Sequence, residues 1–324
     1  MRLSKTYKLL IFLLFTSVYG RAQQTVQFSQ YMFNGLVVNP AYAGYKEDWT
    51  LNLSNRLQWS GIDGAPKTST ISIDGVLDPE TKKAALGFLV TNDRLGPENN
   101  SAFYANYAYR LQLNDEDTKR LSFGFGAGLV QYRIDASKFD PIDGGDGSIT
   151  ANEKTLMTDF RLGAYYTTPN FYAGGSVLNL FSNAISGANT QVINPVAHMY
   201  LTTGAMLPLS PTIDLKPSIM FKEDFKGTAG LDITSYVLFD KRFWLGASYN
   251  TGVRFSKPAN SSGLDKSNTV TAIAQVSISN FLRFGYSFDF STSALANYQS
   301  GTHEVSLSLS FRRKRPKILS PRFF

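Results

Sequence analysis

The chain has no cysteine and only two histidines in 324 residues. The first absence excludes disulfides, thiolate metal sites and a lipidated N-terminal cysteine. The second leaves His198 and His303 as the only imidazoles, too few for the ligand set of a zinc site. After residue 22 no stretch approaches the roughly 18 consecutive apolar residues of a transmembrane helix. Helical amphipathic patterns are scarce, and there is no long Pro/Gly/Ser linker to divide the chain into domains.

Positive charge is also scarcer than the total indicates. Net charge is +7, but residues 1–22 carry four basic residues and no acid, and residues 312–324 carry six and no acid. Removing those ten leaves residues 23–311 at −3. A nucleic-acid partner needs a basic face on the folded part, so that reading fails.

The two ends carry their own signals. Arg2, Lys5 and Lys8 precede an apolar run from Leu9 to Tyr19, and Gly20-Arg21-Ala22 offers small residues at a cleavage site. The pattern predicts an export signal over 1–22, with Gln23 as the first mature residue. The tail 313–324, which with Arg312 just before it carries the basic run Arg312, Arg313, Lys314, Arg315 and Lys317, is either solvated or in contact with an acidic periplasmic partner or anionic lipid heads.

Between the ends, alternation with a period of two recurs in stretches of about ten residues, the signature of outer-membrane strands. In Leu282–Phe290 every even position is apolar or aromatic and every odd one small, polar or charged. Val305, Leu307, Leu309 and Phe311 alternate with Glu304 and serines, and Leu121, Phe123, Phe125 and Leu129 alternate with Ser122, Gly124, Gly126 and Gly128. A soluble sandwich alternates in the same way. The export signal and the 14 % aromatic content favour a membrane, with Trp49, Trp59, Tyr165, Tyr166, Tyr172 and Trp244 expected in interfacial girdles.

The fold expected is an all-β transmembrane antiparallel barrel of fourteen strands over 49–312. The strands fall near 49–59, 67–77, 84–93, 100–113, 119–133, 157–168, 170–178, 196–207, 211–222, 227–239, 242–250, 269–279, 281–291 and 302–312. Alternate connections are short, such as 78–83, 114–118 and 240–241, while the longer ones, near 134–156, 179–195, 251–268 and 292–301, fall in the other set. That is the rule of short periplasmic turns and long outer loops.

Residues 23–48 form a separate periplasmic or lumen segment. It opens Gln27-Phe28-Ser29-Gln30-Tyr31-Met32-Phe33-Asn34 and continues Asn39-Pro40-Ala41-Tyr42-Ala43-Gly44. It is too polar and irregular to face lipid, where every backbone group must be paired. Residues 24–45 therefore either fold into the lower lumen and partly plug it, with Gln27, Gln30, Asn34 and Asn39 bonding to lumen groups, or hang as a periplasmic tail. Ser29 and Pro40 belong to the same motif.

These motifs resemble the PorP/SprF family of the Bacteroidetes type IX secretion and gliding system. Supporting matches follow in family order: Arg56 with Gln58-Trp59, Ala65-Pro66-Lys67-Thr68, Asn92-Asp93 with Gly96-Pro97, Asp159 with Gly163 and Tyr165-Tyr166, Phe284–Asp289, Gly301-Thr302-His303-Glu304 and Pro321-Arg322-Phe323. Ser320 stands where the family's ending is expected to carry a cysteine. The resemblance implies an outer-membrane protein without catalytic residues or cofactor. It implies partners among secreted surface adhesin-like proteins and periplasmic secretion or motility components, besides outer-membrane lipid. The competing function is a general diffusion porin or uptake channel.

Charges on the polar strand faces, namely Arg283, Asp289, Glu304, Lys216, Arg110, Arg161 and Asp159, are expected to form a lumen network that fixes register. Asp135, Asp140, Asp143 and Asp146 with Gly144, Gly145 and Gly147 supply calcium-type ligands, but the spacing is not that of an EF-hand, and a solvated loop is the simpler reading. Gly124, Gly126 and Gly128 lie inside a strand with no helix after them, which rejects a dinucleotide loop. They mark places where the wall bends or a plug approaches closely.

Overall fold

A computed structural model describes residues 29–135, 153–180, 196–225, 229–253, 268–292 and 294–311. The signal region, Gln27 and Phe28, most of the aspartate-glycine loop and the basic tail lie outside these residues. Fourteen strands follow one another: β1 Trp49–Leu57, β2 Lys67–Val76, β3 Ala84–Leu95, β4 Glu98–Gln112, β5 Arg120–Ile134, β6 Glu153–Thr167 and β7 Phe171–Leu178. Then come β8 (His198–Ala205, continued by Leu207–Ser210), β9 Ile213–Glu223, β10 Ala229–Phe239, β11 Phe243–Val253, β12 Thr269–Ser277, β13 Leu282–Ser291 and β14 Thr302–Phe311.

Each strand pairs antiparallel with its neighbours in sequence, and β14 pairs with β1, so the sheet closes. Closure removes the open edges that a sheet in lipid cannot leave unpaired. β8 is interrupted at Met206, beside a partner strand in which Pro217 has no N–H to give to the ladder. The register nevertheless carries through, with Gly204 opposite Ser218 and Leu207 opposite Leu215.

Side-chain parity sorts the two faces. On β13, Arg283, Gly285, Ser287 and Asp289 turn inward, while Phe284, Tyr286 and Phe290 turn out. On β5, Phe123, Phe125 and Leu129 face outward. These exposed apolar side chains form the surface that hydrocarbon covers. Among the described residues no helix is long and apolar enough to cross a membrane.

The connections at the end of the barrel that holds Trp49 and Phe311 are all short, while the longest ones lie at the other end beside the two-residue Gly96-Pro97 turn, which marks the first end as periplasmic. β6 starts at Glu153, before the expected 157, because the β5–β6 ladder runs outward as far as Ile134 opposite Glu153. The girdle expected from aromatic content is only partly there. Tyr165, Tyr172 and Trp244 are buried and face the lumen. Tyr165 shares the parity of Arg161 and Gly163, which puts it on the inner face.

Candidate functional site: an N-terminal arm inside the barrel

From Ser29 to Tyr45 every described residue except Asn34 is buried, and Asn34 is half-buried. The arm has little regular structure, only the short 3-10 turns Gly35–Val37 and Pro40–Tyr42. The second turn follows from the motif itself. Asn39 accepts a hydrogen bond from the Ala41 N–H, and Pro40 at the first turn position lacks the N–H that would otherwise be orphaned.

The arm runs the depth of the lumen and is not confined to its lower half. At its upper end Arg56 donates to Asp289 at 2.6 Å and to Glu304 at 3.0 Å, and all three side chains are almost fully buried. The Ser29 N–H donates to Glu304 at 2.9 Å, and the Ser29 hydroxyl donates to Asp289 at 2.9 Å. The Gln30 N–H reaches Glu304 at 3.3 Å. Arg56, Asp289 and Glu304 each lie within two residues of the outer ends of β1, β13 and β14. Ser29 thus sits just below the outer rim, where Glu304 accepts backbone N–H groups of the arm and Asp289 accepts the Ser29 hydroxyl.

In the periplasmic half, the Asn39 amide donates to the carbonyls of Ala164 (3.1 Å) and Gly175 (3.2 Å) on neighbouring strands. Arg161 and Ser176 donate to the carbonyls of Val37 and Val38. Phe33 packs edge-on against Tyr236 (5.1 Å) and Trp244 (5.8 Å), and Tyr42 and Tyr45 pack against Tyr165. The Lys216 ammonium stands over the rings of Phe33, Tyr172 and Trp244 at 5.6–5.9 Å, within cation–π range. Tyr31 meets Ser218 at 3.3 Å, and burial pushes its phenol up to about 12, so it stays neutral.

At the lower end the Gly44 N–H donates to Asp74 at 2.9 Å, and Lys46 donates to the Phe33 carbonyl at 3.0 Å. Burial, and then the like charge of Arg283, push the Lys46 ammonium down. Glu47 pairs with Lys82 at 2.9 Å, and Lys82 with Asp117 at 3.1 Å, which ties the arm's exit to two periplasmic turns. These pairs are partly solvated and contribute little individually.

The wall is shaped for the arm. A Cβ on Gly124 would lie 2.1 Å from the Ala41 nitrogen, and one on Gly163 would lie 2.1 Å from the Asn39 side-chain oxygen. Gly126 and Gly128 instead make room for Asn106 and Tyr104 on the next strand. Asn39→Ala is expected to lower stability by about 2 kcal/mol, since it removes a cap and two bonds to half-buried carbonyls. Thermal unfolding in detergent, followed by heat-dependent gel migration, reads this directly. An unchanged midpoint would show that the amide contributes nothing.

Of the charges expected in the lumen, the structure brings Asp289 and Glu304 together. It leaves Arg283 six residues down β13, near Lys46 and the periplasmic end. The missing cation is Arg56, whose inward parity on β1 was legible but whose partners, 233 and 248 residues away, were not. Asp159 and Arg161 meet around Tyr104, which donates to Asp159 at 2.8 Å with the Arg161 guanidinium 4.6 Å from its ring. The histidines stay apart on β8 and β14, and among the described residues no group of His, Cys, Asp and Glu is arranged for a metal.

A profile of the type IX secretion system membrane protein PorP/SprF matches residues 20–309. The chain belongs to the PorP/SprF family. It is an outer-membrane β-barrel component of type IX secretion, seated in outer-membrane lipid. No curated relative matches the chain. Among solved structures it is similar to the CymD monoaromatic hydrocarbon channel, at 11% identity and a TM-score of 0.53, covering 91% of this chain and 96% of that one. The outer membrane protein Omp33 of Acinetobacter baumannii is 12% identical with a TM-score of 0.47, over 82% of this chain and 100% of that one. At such identities the CymD likeness is one of fold.

Proposed function

We propose that this PorP/SprF chain is a non-enzymatic scaffold that supports export and surface anchoring of a large secreted adhesin-like protein of the kind used in gliding. The observation that carries the reading is the filled lumen. A wall of fourteen strands approaches the size that leaves an aqueous channel, roughly 16 to 18 strands. Here residues 29–45 occupy that space with buried aromatic and amide side chains. A stiff, filled cylinder is suited to hold outer loops in fixed positions, where loop side chains bind a partner. The plugging role of Gln30, Tyr31, Asn34, Asn39 and Pro40 belongs to the same proposal, as do periplasmic secretion or motility partners.

The test is affinity purification of the tagged protein from detergent-solubilised outer membranes, beside a strain that lacks it. One large surface protein should be retained, and the same protein should disappear from the surface of the deletion strain. Retention of none, with an unchanged surface, contradicts the scaffold. A second reading, an uptake channel, draws on a small cavity of about 20 Å³ left between the arm and the β14–β1 wall. It requires solute flux through the intact protein.

A further inference from the structure

Beyond filling the lumen, the arm crosses the line where the barrel closes. We propose that Ser29 and Gln30 staple the β14–β1 seam, so that the arm is needed for the first and last strands to pair. The inference does not depend on what the protein exports.

The seam is poorly supplied with its own lumen contacts. Thr50, Asn52 and Ser54 of β1 stand opposite Ser310, Ser308 and Ser306 of β14. The bonds these small side chains make across the seam are Ser308 to Asn52 at 2.8 Å and a long Thr50–Ser310 contact at 3.4 Å. A small cavity of about 20 Å³ lies against this stretch, lined on the wall side by Asn52, Ser54, Ser306 and Ser308. Its other side is the arm: Gln30, Tyr31, Phe33, Asn34 and Val37. Only Arg56 and Glu304, directly opposite in register, put long side chains across the seam's inner face.

The arm supplies what the seam lacks. The N–H groups of Ser29 and Gln30 bind Glu304 of β14, which Arg56 of β1 also holds. The Ser29 hydroxyl reaches both Arg56 and, on β13, Asp289. The Gln30 amide donates to the Glu304 carbonyl at 3.1 Å and accepts from Ser306 at 2.6 Å. Asn34 accepts from Ser72 on β2 at 2.9 Å, so the arm bridges the two strands on one side of the seam, β1 and β2, to the two on the other, β13 and β14. Pairing the two chain ends closes the largest loop in the molecule, the contact whose entropy cost is highest. A segment that binds both ends before they meet lowers that cost.

The native absence of cysteine gives a clean test. Asn55 and Val305 are register partners on the lipid face of the seam, and the spacing of paired antiparallel residues accommodates a disulfide. The barrel lacking 29–45 is refolded into detergent with and without Asn55→Cys/Val305→Cys, and the folded fraction is read by heat-dependent gel migration. A control pair, Ile71→Cys/Val90→Cys, bridges β2 and β3 on the same outer face. The milder Gln30→Ala, which keeps the rest of the arm, is carried in the same three backgrounds. Removing the arm should lower the folded fraction several-fold, Gln30→Ala less, and the oxidised seam pair alone should restore it. Normal refolding without the arm overturns the proposal. So does failure of the seam disulfide to rescue, or equal rescue by the control pair.

Discussion

Arg56→Met is expected to destabilise the folded barrel by about 3–5 kcal/mol. The guanidinium is the cation that Asp289 and Glu304 share, and the three side chains are no more than 6 % exposed. Methionine keeps most of the volume and removes the charge, so two carboxylates are left buried together with only the N–H groups and hydroxyl of the arm as donors. Breaking a buried ionic group from one side costs far more than replacing all of it. The triple variant Arg56→Met/Asp289→Asn/Glu304→Gln should therefore recover a large part of the loss. Unfolding midpoints in detergent decide the matter. A single variant as stable as the parent, or a triple variant worse than the single, would mean that the cluster is not the buried unit described.

Gly124→Val is expected to expel the arm from its seat. The new Cβ would meet the backbone of Pro40 and Ala41 at 2.1–2.4 Å, and backbone in a capped turn cannot swing aside as a side chain can. Overpacking of this kind costs about 1–3 kcal/mol and sometimes more. Here the strain is relieved by undocking residues 39–42, not by bending a wall strand paired on both sides. Limited proteolysis should cut the arm of the variant under conditions that leave the parent arm whole, while the barrel survives. Equal resistance in the two proteins would contradict the seat. Gly126→Val serves as the contrast, since its neighbours are the side chains of Asn106 and Arg161 and not the arm.

The fold was legible because a closed barrel writes itself as parity. Leu282–Phe290 and Glu304–Phe311 alternate without a break, and short turns such as Asp240-Lys241 fall regularly at one end. The aromatic girdle was the weak step. Composition counts aromatic residues without assigning a face, and Tyr172, Tyr165 and Trp244 turned out to pack against the arm or its neighbours.

The arm was half legible. Its mixture of amides and aromatics excluded lipid, and the glycines of β5 hinted at a close approach that Gly124 makes. Its depth was not legible. Arg56 and Arg283 both face inward, and nothing local says that one lies beside the outer rim and the other beside the periplasmic end. That is decided by register across the whole sheet, through pairs such as Arg56 with Glu304.

The measurement closest to the central claim is single-channel conductance in planar bilayers. The intact chain is compared with a barrel that lacks residues 29–45 and is held shut by the Asn55→Cys/Val305→Cys disulfide. The intact protein should stay closed and the emptied one should show stable channel openings. Equal conductance from the two, open or silent, would mean that the arm does not occupy the lumen of the working protein.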